Sequence, residues 1–353
     1  MRIAQVAPLF ERVPPKYYGG SERVVSYLTE ELVRQGHDVT LFASGDSITA
    51  ARLVAPCRNA LRLDPRCVDP LAYQILQLEL VFRELDQFDV VHFHTDYIHF
   101  PLSRRSLIRH VTTLHGRLDL PDLTPLYREF NDMPLISISN AQRKPLSWAN
   151  WRATVYHGLP EDLYTFHPKC ERYLAFIGRI SPEKRVDRAI EIARRVKMPL
   201  RIAAKVDRVD QRYFEMTIRP LLGDPLVEFI GEIGEGDKQD VLGNAFALLF
   251  PVDWPEPFGL VAIEAMACGT PVIAFRKGSV PELIEEGVSG VIVDSVEEAA
   301  AAVQQVSTLR REKCRHAFLE RFTAARMAEN YLAVYQRLAK EGGRSAPEQA
   351  TAA

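Results

Sequence analysis

The chain has 353 residues, of which 47% are hydrophobic and 25% charged, and 44 Lys and Arg against 46 Asp and Glu leave a formal net charge of -2. That length and apolar content can fill two hydrophobic cores, and the near-neutral balance excludes a global field favouring nucleic acid or an anionic membrane. The cysteines (Cys57, Cys67, Cys170, Cys268 and Cys314) are odd in number and form no Cys-x-x-Cys pair, which predicts reduced thiols and a cytoplasmic protein.

Met1–Ala7 reads as a strand rather than a signal peptide, and no apolar run approaches a transmembrane length. Ile3–Ala7 is the first predicted strand, and a helix over Glu22–Gln35 ends at Gly36. Strands follow at Val39–Ala43, Val90–His94, Val111–His115 and Leu135–Ser139. Leu159–Arg172, rich in proline and charge, reads as a linker. Beyond it, strands are predicted at Tyr173–Gly178, Leu200–Ala204, Val227–Ile230, Ala247–Pro251, Val272–Ala274 and Gly290–Val293. Helices between them fall near Val186–Val196, Gln211–Leu221, Lys238–Asn244 and Leu260–Ala267. Strands alternating with helices give an α/β chain with parallel sheets. We read two Rossmann-like domains, 1–165 and 166–325, facing each other across a cleft. Ligands of such sheets lie beyond the carboxyl ends of the strands. Met327, Tyr331, Val334, Tyr335 and Leu338 recur at helical spacing within Arg326–Ala339, and the Gly/Ser/Pro/Ala-rich tail 341–353 is expected to be disordered.

The densest signal is Trp254-Pro-Glu256-Pro-Phe258-Gly259-Leu260, running into Val-Ala-Ile-Glu264-Ala-Met-Ala-Cys268-Gly-Thr-Pro. Pro255 and Pro257 hold Glu256 out of a helix, and Leu260–Ala267 is a run of good helix formers. A stiff loop therefore enters a helix N-terminus, whose free N–H groups suit a diphosphate. Glu256 lies before that end and Glu264 just over one turn inside it. The two can hydrogen-bond hydroxyls on either side of the phosphates, although a buried βαβ crossover with two incidental glutamates fits the same residues.

Four further segments are candidates. Gly178-Arg179 and Lys184 flank a turn proline after a strand, a fork and a point charge suited to a leaving diphosphate, or a solvated basic edge. Gly19-Gly20 precedes a helix start, where backbone can approach a ligand closely, and ordinary turns use such pairs too. Tyr17 and Tyr18 either line an acceptor or hold that loop. His115 stands at a strand exit, where a lone histidine is commonly structural. His92-x-His94 with Asp96 lacks a further ligand cluster for zinc. No Asp-x-Asp clamp for a nucleotide-bound divalent ion occurs.

Glu256 and Glu264, with Pro-Phe-Gly-Leu between them and Ala-Met-Ala-Cys-Gly-Thr-Pro after, resemble the signature of retaining glycosyltransferases of family 4, which have the GT-B architecture. Matched motifs run roughly from Tyr18 to Glu286. The resemblance implies that Glu264 holds the ribose hydroxyls, that Glu256 and His115 bracket the transferred sugar, and that Phe258, Gly259 and Leu260 offer backbone contacts. It places Arg179 and Lys184 on the donor pyrophosphate, with Gly19 and Gly20 reaching it from the opposite wall. It also implies that the last helix, 326–340, crosses back to complete the first domain. Three positions depart from the pattern: Arg185 where glycine is common, Lys205 in place of a Gly-rich turn, and His157 where asparagine is usual. The implied activity is retaining, metal-independent transfer of a hexosyl unit from a nucleotide diphosphate sugar to an unidentified acceptor, with no other cofactor. A dinucleotide oxidoreductase would need Gly-x-Gly-x-x-Gly after a strand, which is missing. A non-catalytic sugar-nucleotide binder would not need both glutamates and both cations.

Overall fold

The computed structural model describes residues 1–341 apart from Tyr18, Leu63 and Ile108, so the readings of Tyr18 and of the tail beyond 341 fall outside the described residues. Seven parallel strands form the first sheet: β1 (Arg2–Val6), β2 (Asp38–Phe42), β3 (Arg52–Val54), β4 (Val90–Phe93), β5 (His110–Thr113), β6 (Leu135–Ser137) and β7 (Trp151–Thr154). Their spatial order is β3-β2-β1-β4-β5-β6-β7. Six parallel strands form the second: β8 (Leu174–Arg179), β9 (Leu200–Lys205), β10 (Val227–Gly231), β11 (Ala247–Phe250), β12 (Val272–Phe275) and β13 (Gly290–Val293). Their order is β10-β9-β8-β11-β12-β13.

In each sheet the chain moves outward from a central strand, then returns to that strand's other side. The order therefore reverses between β1 and β4 in one sheet and between β8 and β11 in the other. A crevice opens at the carboxyl ends of such strands. The segments that emerge there are Ala7–Phe10, His94–Ile98, Ile180–Lys184 and Pro251–Phe258, which include Lys184, Glu256 and Phe258.

The strands are short and apolar because helices cover them on both faces. β4, β5, β11 and β12 are buried along their whole length. One continuous apolar cluster joins Ile3 and Val24 to Phe258 and Ala265, through Phe322, Tyr331 and Tyr335 of the C-terminal region. The last helix, Ala324–Glu341, packs on the helix Gly20–Arg34 of the first half. The two passages of the chain between the halves lie side by side: Leu159 N–H donates to Phe322 O at 2.9 Å, and Ala324 N–H to Leu159 O at 2.7 Å. Gly158 makes that approach possible, since a Cβ there would sit 2.1 Å from the Thr323 carbonyl oxygen.

Several elements differ from the sequence expectation. The predicted helix 211–221 is one α-turn at Gln211–Tyr213, a widened π-turn at Phe214–Ile218 and a 3₁₀ turn at Arg219–Leu221. Pro220 removes a backbone donor there, so a regular ladder cannot continue. Edge strands β3 and β7 and the helices Pro70–Arg83, Val296–Val306 and Arg311–Arg321 are additional to the expected elements.

Candidate active site

Between the two sheets lies a cleft of about 870 Å³ whose walls include Gly19, Gly20, His115, Arg179, Lys184, Glu256, Phe258, Gly259, Leu260 and Glu264. All ten site residues read from the sequence therefore meet in one cavity. Gly20 and Leu260 oppose each other so closely that a Cβ on Gly20 would lie 3.5 Å from a Leu260 methyl.

The loop carrying Glu256 is held through its carbonyls. Ser279 N–H donates to Glu256 O at 3.0 Å, Ser139 Oγ to Pro257 O at 2.7 Å, and Ser279 Oγ to Phe258 O. Gly259 then adopts φ 97° and caps the helix Leu260–Cys268, a left-handed geometry that a side chain would resist. The first N–H groups of that helix lack intrahelical acceptors, and Leu260 and Val261 line the cleft.

Both glutamates are buried and each faces a lysine. Lys184 Nζ bonds Glu256 Oε2, an oxygen that also accepts from Trp254 Nε1 at 2.7 Å. The Lys184 ammonium lies 5.4 Å from the Trp254 ring centroid and 5.8 Å from that of Phe250, so aromatic faces box it. Lys238 Nζ donates to Glu264 Oε1 at 2.9 Å and stands 3.5 Å from Glu235. Burial pushes the Lys238 ammonium below its ordinary pKa, and the Glu264 charge pulls it back. Arg179 Nη1 is 3.7 Å from Asp207, and its Nε is buried without a hydrogen-bond partner. The sequence places Lys184 beside a diphosphate; in the structure its ammonium rests on Glu256, so an entering diphosphate would exchange one anion for another.

On the opposite wall, His115 Nε2 lies 2.8 Å from His94 Nδ1, while His115 Nδ1 is buried with no partner. The ring is only partly exposed, and the protein around it pushes its pKa down to about 4. His157 stacks on His115, with centroids 5.3 Å apart and planes at 18°, and meets Phe258 at 4.7 Å on its other side. This histidine, standing where asparagine is usual, thus links His115 to the Glu256 loop.

Sequence reasoning did not find Lys238, Glu235, Arg23 or Gln5 as part of this region, and gave Trp254 no role within its motif. Arg23 bonds Glu235 across the cleft and also donates to Tyr17 O at 2.7 Å, and Tyr164 OH donates to Glu235. Asp96, at the end of the His-x-His run, lines the cleft with a left-handed φ of 52°. Arg185 also has φ 52°, a conformation costing about 1–2 kcal/mol away from glycine. Its side chain is fixed by Asp187 at 2.8 Å and Asp253 at 3.0 Å. Among the described residues no group of three or more His, Cys, Asp or Glu side chains is arranged to hold a metal ion.

Comparison with known proteins covers both walls of this cleft. Residues 165–321 match the family model described as Glycosyl transferases group 1, and residues 18–157 match the model described as Glycosyltransferase Family 4. The chain belongs to glycosyltransferase family 4. It is similar to D-inositol 3-phosphate glycosyltransferase of Mycolicibacterium smegmatis, 29% identical over 251 residues that span 62% of this chain and 54% of that protein. The match thus covers about half the length of that relative. N-acetyl-alpha-D-glucosaminyl L-malate synthase of Bacillus anthracis is 25% identical over 370 residues, 90% of this chain and 93% of the relative. Sucrose-phosphate synthase from Thermosynechococcus elongatus superposes with a TM-score of 0.78 at 18% identity, over 97% of this chain and 100% of that one. The two parallel α/β domains are those of the GT-B fold. No described helix is long and apolar enough to cross a membrane.

Proposed function

We propose that this family 4 member is a retaining, metal-independent hexosyltransferase that uses a nucleotide diphosphate sugar as donor. The observation carrying this reading is the convergence of two buried carboxylates, two cations and one helix N-terminus in a single cleft between the sheets. In this reading Glu264 receives the ribose hydroxyls. The helix N-terminus at Leu260 takes the diphosphate together with Arg179 and Lys184, and Gly19 and Gly20 close over it. Glu256, His115 and the backbone of Phe258 and Gly259 then surround the hexosyl unit.

Charge grows on the diphosphate as the glycosidic bond breaks. Arg179 and Lys184 would stabilise it in place, as preorganised groups that need no reorganisation. The leaving phosphate oxygen can accept the acceptor's proton on the same face, so the sugar keeps its anomeric configuration. Supporting the metal-free reading is the division of labour at the site: cations and helix dipole supply the positive charge that an ion would otherwise bring.

The relatives make different bonds, as their names state, so the acceptor class here is open to direct assay. Incubating the protein with a panel of nucleotide sugars and polyol or hydroxy-acid acceptors in EDTA tests the proposal. Turnover undiminished by chelation is expected. Loss of turnover in EDTA, restored by manganese or magnesium, would overturn metal independence.

A further inference from the structure

β1 reads Arg-Ile-Ala-Gln-Val and buries Gln5 completely, an expensive place for an amide unless it is fully hydrogen-bonded. Its Nε2 donates to Tyr335 OH at 3.1 Å, on the C-terminal helix. Its Oε1 lies 2.8 Å from His94 Nε2. A carbonyl oxygen only accepts, so His94 carries its proton on Nε2. His94 is held well below its ordinary pKa by burial, with His92, His115 and His157 adding repulsion, and is therefore neutral. Its Nδ1 must then be a lone pair. That lone pair faces His115 Nε2 at 2.8 Å, so His115 donates from Nε2 and leaves Nδ1 unprotonated.

Proton positions are fixed in the same way at the other end. Tyr335 has one hydroxyl proton; accepting from Gln5, it donates to His92 Nδ1 at 2.7 Å. His92 Nε2 then donates to Thr113 Oγ1, also at 2.7 Å. From Thr113 through His92, Tyr335, Gln5 and His94 each of these polar side-chain atoms has a partner, and the run ends at His115 Nδ1, which has none among the described residues. An orphaned buried acceptor is destabilising, and a hydroxyl donating to it removes that cost.

We propose that Gln5 and His94 are positioning residues that lock His115 in its Nε2–H tautomer, so that Nδ1 is an acceptor for a hydroxyl of the transferred sugar. The inference rests on the reading that the sugar lies beside His115. Gln5 touches no substrate in this account; it acts through His94, and the C-terminal helix sets the orientation of its amide.

The test has two independent readouts. Long-range proton–nitrogen NMR of the full chain labelled at histidine nitrogens reports the His115 tautomer without any turnover. Protonated Nε2 and unprotonated Nδ1 are expected in the wild type, and a mixture of tautomers in Gln5→Leu. Protonated Nδ1 in the wild type overturns the proposal, even if Gln5→Leu fails to fold. In kinetics, Gln5→Leu is expected to lower kcat about three- to tenfold, the equivalent of one hydrogen bond, with donor KM nearly unchanged. Equal kcat in wild type and a folded Gln5→Leu overturns the proposal, as does a loss in KM alone. A wild type that shows the expected tautomer but transfers no sugar from any donor would overturn the proposed function and leave the relay standing.

Discussion

Replacing Glu264 with glutamine should weaken nucleoside diphosphate binding far more than pyrophosphate binding. The carboxylate is 3% exposed and accepts Lys238 Nζ at 2.9 Å. A carboxylate can accept about four hydrogen bonds, so one lysine leaves room for two ribose hydroxyls. Hydrogen bonds to a charged group contribute ~1.5–3 kcal/mol, and about 1.4 kcal/mol is a tenfold change in Kd. Losing the charge should therefore raise the nucleoside diphosphate Kd by about 10- to 150-fold. The cost to folding should be smaller than the ~3–5 kcal/mol of an abandoned buried charge. The glutamine carbonyl can still receive Lys238, and Glu235 remains 3.5 Å from that ammonium. Isothermal titration with nucleoside diphosphate and with pyrophosphate, plus a melting curve as control, makes the measurement. Unchanged nucleoside diphosphate affinity in a folded variant would refute the ribose assignment, and an equal loss for both ligands would point to general disruption of the cleft.

Glu256→Gln should act on turnover instead, lowering kcat about tenfold to hundredfold with less effect on donor Kd; the reverse order in steady-state kinetics would argue against placing Glu256 at the sugar. Arg179→Ala and Lys184→Ala should each cut kcat/KM by about 10²–10³ while nucleoside lacking phosphates binds nearly as in the wild type. A nucleoside Kd that rises with the diphosphate Kd would make these cations structural. Stability should fall as pH drops from about 6.5 towards 4. Burial holds His92, His94, His99 and His157 well below the ordinary histidine pKa and His115 at about 4. The unfolded chain takes up those protons near pH 6.5 and the folded one does not. Burial raises the pKa of Glu11, Glu22, Asp96 and Asp210, which pushes the other way, but the five histidines outnumber these four carboxyls. A melting temperature that stays flat between pH 7 and 5 in calorimetry would contradict this.

Local chemistry made much of the site legible in the sequence. The prolines around Glu256 and the helix formers after Gly259 specify a loop entering a helix, and the family resemblance supplies ribose, phosphate and sugar as the matching ligands. Other parts depend on contacts far apart in the chain. Gln5 pairs with Tyr335 across 330 positions, and only the docking of the last helix on the first sheet brings them together. Lys238 and Glu235 sit on the helix Glu235–Gly243, whose apolar pattern is too weak to show which face meets the cleft. Some elements carried signals all the same. The helix Val296–Val306 begins with a Ser-x-x-Glu capping box, Ser295 accepting from the Glu298 N–H at 3.1 Å. Asp69 caps Pro70–Arg83 with proline at its first position. The irregular turns over 211–221 show the converse, since Pro220 breaks a segment whose composition otherwise suits a helix. Glutamine buried in a parallel strand, with two histidines alternating on its neighbour, is the pattern that marks a polar chain through such a core.

The measurement closest to the central claim is the fate of the donor sugar. The folded protein, in EDTA, is supplied with nucleotide diphosphate hexoses of defined anomeric configuration, and both released nucleoside diphosphate and the anomer of the new glycoside are followed by NMR. The account predicts nucleoside diphosphate release coupled to a glycoside that keeps the donor's configuration. An inverted product would contradict the same-face mechanism, and tight nucleoside diphosphate binding with no sugar released or transferred from any donor would contradict catalysis itself.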